Sequence, residues 1–178
     1  MLAAILMADS DTMILVDSKD KEIGYEEKEP CHIWPAKLHR AFSVFIINSK
    51  GEMLVHKRAA GKKTWPGFWT NSCCSHPRKG EATAIAAARR LKEELGIVCQ
   101  LKHLFTFEYS ARFDDKWGEN EVDHVFLGSY DGLVKADKNE IAEWKFVPIA
   151  ELKNDMAKHP EKYTPWFKIA LERVLKNV

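Results

Sequence analysis

Cys73 and Cys74 are adjacent, and His76 follows within the segment Thr70-Asn71-Ser72-Cys73-Cys74-Ser75-His76-Pro77. A thiol can serve as nucleophile or acid/base group, and imidazole is a common metal ligand. Both chemistries fall in one short stretch, between an aromatic turn (Trp65-Pro66-Gly67-Phe68-Trp69) and a helix expected to begin near Gly80. Packing alone does not call for that combination. His32 and His39 are further candidate ligands. They cannot share a helical face with His76, because Pro35 and the long separations forbid it, but the three can meet in space. An ordinary polar role is open to each. His56, His103, His124 and His159 carry no chemical pattern.

Glu119 and Glu121 flank Asn120. In an extended segment residues two apart project to the same side, so the carboxylates can converge on a cation, or one can ligate while the other moves protons. A solvated acidic turn explains them as well. Held together without a cation they would repel and one would be pushed toward protonation, so a metal makes the functional reading coherent. Arg90 and Glu94, four apart on a helix, share a face and suit either a site or a plain ion pair. Lys28, Arg58, Lys62 and Lys63 are cations in expected loops, open to solvent or to an anion.

The elements that must position these groups follow from periodicity. Strands are expected at Thr12 to Val16, at Ala41 to Asn48 with a hairpin return at Glu52 to Lys57, and at His103 to Ser110, Glu121 to Tyr130 and Glu143 to Val147. Asp17 to Gly24 reads as a turn region. A helix is expected from Glu81 to Leu95, with Ala84, Ala88, Leu91 and Leu95 on one face and Gly96 as its stop. A short helix follows Pro148 (Ile149 to Met156), and a last one runs from about Pro160 to Leu175. Irregular interleaving of strands and helices implies an α+β (mixed α/β) fold, a mixed sheet flanked by helices, and 178 residues suit one domain over 1–178.

With 27 Lys+Arg against 26 Asp+Glu the net charge is +1, which argues against nucleic acid or an anionic membrane as partner. Met1 to Met7 is apolar but lacks a cationic lead and reaches Asp9 too soon for a signal peptide or span. Four cysteines, two of them neighbours, fit a reduced cytoplasmic protein better than a disulfide framework.

Residues 75 to 97 resemble the Nudix signature: Glu81, Arg89, Leu91, Glu93, Glu94, Gly96 and Ile97 stand in its spacing. Ser75 replaces the opening glycine, and Arg90 replaces a glutamate of the metal set that hydrolyses diphosphates in that superfamily. Both departures fit one non-hydrolytic branch. His39-Arg40-Ala41-Phe42-Ser43, Trp65-Pro66-Gly67, residues 70 to 77 and Glu119-Asn120-Glu121 resemble the metal-dependent (type I) isopentenyl-diphosphate isomerases, in order, over roughly residues 10 to 170.

That resemblance implies a Nudix-like fold and an isomerase of isoprenoid biosynthesis interconverting isopentenyl and dimethylallyl diphosphate. It implies one divalent ion (Mn²⁺, Mg²⁺ or Zn²⁺) on His32, His39, His76, Glu119 and Glu121. Cys74 and Glu121 become the opposing acid/base pair, with Tyr109 as a hydrogen-bonding helper and Cys73 as packing. Glu94 would ligate a second ion, Mg²⁺, carried on the diphosphate. Lys28, Arg58, Lys62 and Arg90 would bind that diphosphate, and Trp166 would wall the prenyl carbons. A small prenyl diphosphate is the expected partner, with no nucleic acid, no membrane and a monomeric, cytoplasmic protein. Competing readings are a nucleoside-diphosphate hydrolase, a non-catalytic metal module, and a thiol hydrolase using Cys74 and His76.

Overall fold

A computed structural model describes residues 12–178; the expectation for Met1 to Met7 lies outside the described residues. The spine is β3 (His39–Ile47), which alternates between two cores. Phe42, Val44 and Ile46 face one helix layer, while Phe45 and Ile47 face the other, so a near-continuous apolar run is buried on both sides. The first layer is α2 (Thr83–Leu95), packed through Ala86, Ala87, Leu91 and Leu95. The second is α4 (Pro165–Leu175), packed through Phe167, Ala170, Leu171 and Val174. The chain therefore folds as the expected mixed sheet between helices.

β3 runs parallel to β8 (Gly118–Ser129), from His39 opposite Glu121 to Ile47 opposite Ser129. β7 (Leu101–Arg112) lies antiparallel on the far side of β8. On its other edge β3 carries β1 (Thr12–Val16), with β2 (Glu22–Glu27) beyond, and the short β6 (Cys73–Ser75). β4 (Glu52–Arg58) pairs with β9 (Ile141–Pro148) and with β5 (Trp69–Thr70).

Several local expectations need correction. The turn at Asn48 to Gly51 forms, but β3 and β4 share a single register pair, Ile47 with Met53, and then diverge: β6 takes that edge of β3 at Phe42 to Val44, and β4 pairs with β9 and β5. The region after Asp17 is a turn only up to Glu22; β2 and the five-residue helix α1 (Lys28–His32) follow. The aromatic turn is real, with positive φ at Trp65 and Gly67, yet β5 and β6 emerge directly after it. Ala84 and Ala88 are exposed, the buried stripe being Ala87, Leu91 and Leu95 with Ala86 and Glu94 beside it. The last helix does not start at Pro160. A 3₁₀ turn at Pro160–Lys162 ends in extended Tyr163 and Thr164, and Pro165 opens α4 after α3 (Ile149–Lys158). A proline disfavours helix in the residue before it and fits the first helical position.

Gly96 does close α2: it is left-handed at φ 67° and its N–H reaches the Lys92 carbonyl at 2.9 Å. Gly118 matters for another reason. A Cβ there would lie 2.5 Å from the Trp34 ring and 2.9 Å from the Ala111 carbonyl oxygen. Gly118→Ala is expected to cost about 1–3 kcal/mol by forcing β7 and β8 apart next to Glu119, measured as a lower midpoint in urea. An unchanged midpoint would show that the strand pair yields freely.

Candidate metal centre and active site

Register places the first groups. Glu121 on β8 lies opposite His39 on β3 and opposite Tyr109 on β7, so the three side chains stand abreast on one sheet face. Glu119, two residues earlier, projects the same way. β6 lies against β3 with Cys74 opposite Ser43, on the face that carries His39 and Phe45, and His76 continues just beyond β6. His32 arrives as the last residue of α1.

The five expected ligands converge. Their ligand atoms all lie within 4.8 Å of one another. His76 Nε2 is 3.0 Å from Glu121 Oε1, His39 Nε2 3.5 Å from the same oxygen, and His32 Nε2 3.1 Å from Glu119 Oε2. Outer partners orient them: His32 Nδ1 sits 2.6 Å from the Lys28 carbonyl and His39 Nδ1 2.8 Å from the Lys37 carbonyl. Donating those Nδ1–H groups leaves each Nε2 lone pair aimed inward. Thr64 donates to Glu119 Oε1 at 2.8 Å and Tyr109 to Glu121 Oε2 at 2.6 Å. The acidic-turn alternative fails, since both glutamates are buried in a strand.

This arrangement asks for positive charge. Glu119 Oε2 is buried with no hydrogen-bond donor, and His39 and His76 hold their Nε2 atoms 3.1 Å apart. Burial drives His76 down to about 3, which keeps its imidazole neutral. Burial also opposes charge on Glu121 and on His39. Hydrogen bonds and attraction from His39 and His76 nonetheless hold Glu121 well below the carboxylate range, and Cys31 and Glu121 raise His39 well above its usual value. Three imidazoles and two carboxylates around such a point fit a divalent cation.

Cys74 is half-buried and faces the same cavity, of about 1020 Å³. Its thiol donates to Asn71 Oδ1 at 3.0 Å and accepts from Trp166 Nε1 at 3.1 Å. Burial pushes it up to about 12, so it is a protonated acid at neutral pH. Asn71 is locked by the Val44 and Cys73 carbonyls, and Thr70 bonds Asn71, Thr164 and the indole N–H. The roles of Thr70, Asn71 and Thr164 were not legible as chemistry; only their place beside the thiols hinted at them. Cys73 points the opposite way, into the α2 core.

Tyr109, Glu121 and Trp166 line the cavity with Cys74, and so do Lys28, Arg58, Lys62 and Arg90. Arg58 gives donors to the Thr64 and Trp65 carbonyls and rests 5.4 Å from the Trp166 ring centre. Glu94 is not among them: it is buried beneath Arg90, whose guanidinium bonds its Oε1 at 2.6 Å. Lys63 reaches the mouth but pairs with Glu29.

Residues 37–167 match the NUDIX domain family. The fold matches a crystal structure from Deinococcus radiodurans (TM-score 0.68, 20% identity, 83% of this chain and 89% of that one) and a MutT protein from Methanosarcina mazei (TM-score 0.65, 21% identity, 79% and 94%). An isopentenyl-diphosphate Delta-isomerase 2 from Aromatoleum aromaticum is 44% identical, covering 93% of this chain and 87% of the relative. An isopentenyl-diphosphate Delta-isomerase from Serratia proteamaculans is 41% identical over 88% and 87%. This chain belongs to the isopentenyl-diphosphate isomerase family. Within that family's Nudix frame, Arg90 ends up bonded to Glu93, Glu94 and Glu140, where a hydrolase of the same fold would present a carboxylate. Among the described residues no helix is long and apolar enough to cross a membrane.

Proposed function

We infer that this protein interconverts isopentenyl and dimethylallyl diphosphate, adding a proton to one alkene carbon and removing one from another, in isoprenoid biosynthesis. The observation that carries the reading is the placement of the Cys74 thiol and the Glu121 carboxylate on one cavity that Lys28, Arg58, Lys62 and Arg90 also line. Alkene protonation gives a tertiary carbocation, so the acid must be strong enough in context and water must stay out.

Cys74 donates its proton while Glu121 accepts one, and the roles exchange with direction. The Trp166 N–H stabilises the thiolate as it forms, and the ring offers the cation a π face with no lone pair to trap it, worth ~2 kcal/mol when desolvated. Tyr109 holds Glu121 through Oε2. Lys28, Arg58, Lys62 and Arg90 bind the diphosphate and so orient the prenyl carbons. A Mn²⁺, Mg²⁺ or Zn²⁺ ion on His32, His39, His76, Glu119 and Glu121 would tune the carboxyl, and Mg²⁺ near Glu94 would neutralise the diphosphate. We place the enzyme in the cytoplasm as a one-domain monomer, with neither nucleic acid nor membrane as partner.

Proton NMR of isopentenyl diphosphate with protein and Mg²⁺ in deuterated buffer tests this reading. Deuterated dimethylallyl diphosphate is the expected product, and unchanged substrate would sink it. The hydrolase alternative predicts phosphate release from a panel of nucleoside diphosphate derivatives. We expect none above background.

A further inference from the structure

Glu140 lies in the turn before β9 and was not marked by any sequence pattern. Its carboxylate accepts from Arg90 Nη2 at 3.1 Å on one oxygen and from the Lys62 ammonium on the other. These partners are 50 and 78 residues away in the chain, so the contact is tertiary. The turn is anchored on both sides. Glu140 N–H and Ile141 N–H reach the Asp137 carbonyl, and Asp137 N–H reaches the Glu94 carbonyl at 2.8 Å. The Glu140 carbonyl accepts Ala59 N–H at 3.0 Å, at the start of the loop that bears Lys62. Both cations bound by Glu140 are ones assigned above to the diphosphate.

Two of the cavity's cations are already matched by carboxylates: Lys62 and Arg90 face Glu94 and Glu140, while Arg58 donates to backbone carbonyls. On the helix behind them, Arg89 faces both Glu81 and Glu93 and adds no positive surplus to the Lys62–Arg90 pair. A bare diphosphate approaching Lys62 and Arg90 must displace Glu140 from them or stand beside its carboxylate. A diphosphate that arrives with a divalent cation meets neither cost. Attraction from Lys62 and Arg90 outweighs burial and keeps Glu140 ionised, down at about 2.

We propose that Glu140 is a specificity-determining residue: a built-in anion that keeps Lys62 and Arg90 in place without substrate and makes their site selective for metal-complexed diphosphates. The inference rests on the diphosphate reading of the cavity's cations.

The test uses inorganic pyrophosphate as probe and calorimetric binding as readout. Protein freed of excess divalent ion by gel filtration is titrated with and without Mg²⁺, for wild type, Glu140→Gln and Glu140→Asp. Wild type is expected to bind far more tightly with Mg²⁺. Glu140→Gln should shrink that ratio about tenfold, the size expected for removing one unit charge near an anion at a protein rim. Glu140→Asp, which keeps the charge, should restore most of the ratio; a thermal melt of each variant confirms folding. An unchanged ratio in folded Glu140→Gln would overturn the proposal, as would a ratio in Glu140→Asp equal to that of glutamine. Isomerisation by wild type is followed separately by NMR. Turnover with an unchanged ratio defeats this inference alone, whereas absence of turnover defeats the isomerase reading.

Discussion

Cys74→Ala is expected to lower isomerisation by about 10³-fold or more while leaving diphosphate affinity within a few-fold of wild type. General acid catalysis by one positioned group accounts for roughly 10²–10⁴-fold, and a weakly basic alkene places this step near the upper end. Cys74 hydrogen-bonds none of the cations proposed to bind the diphosphate: its partners are Asn71, Thr70 and Trp166. The substitution therefore removes the proposed proton donor and little else. Glu121→Gln should be at least as damaging but is less clean, because Glu121 contacts His39 and His76 and also takes the Tyr109 hydroxyl. Rates from deuterium incorporation, set beside inhibition by inorganic pyrophosphate, separate the two effects. Wild-type turnover in Cys74→Ala would end the two-sided proton mechanism.

Chelation should abolish turnover and lower the melting temperature together. An ion present at 100 times its dissociation constant stabilises the native state by ~2.7 kcal/mol, a shift of roughly 5–10 °C for a chain of this size. The physical reason is local: without a cation, Glu119 Oε2 is buried with no hydrogen bond, facing His32 Nε2 at 3.1 Å, and two imidazole nitrogens confront each other. His39→Ala, fully buried at the centre of the set, should reproduce both losses and resist rescue by added metal. Loss of stability with turnover intact would make the site structural only. Intact stability and intact turnover would remove the metal centre altogether.

Much of this was legible in the chain. The period-2 run at Ala41 to Asn48 and the helix ending at Gly96 announce themselves because their signals are local: alternation, spacing and one residue free to adopt positive φ. Residue types in the motif around Cys74 and in Glu119-Asn120-Glu121 carry the resemblance to prenyl diphosphate isomerases for the same reason. Pairing is different. Ile47 and Met53 look like the start of a full hairpin, yet β6 takes that edge of β3 while β8 takes the other, and no short-range pattern records partners so distant in the chain.

What the residues alone determined, then, is the repertoire: which groups can ligate, donate a proton or hold a phosphate, and which segments are extended or helical. Tertiary structure decided the rest. Only the register of β7, β8 and β3 sets Tyr109, Glu121 and His39 abreast; only the packing of α4 brings the Trp166 N–H to the Cys74 sulfur; and only the turn before β9 brings a carboxylate onto Lys62 and Arg90. Contacts between residues tens of positions apart depend on which surfaces bury each other, and that balance is struck by the whole core rather than by any window of sequence.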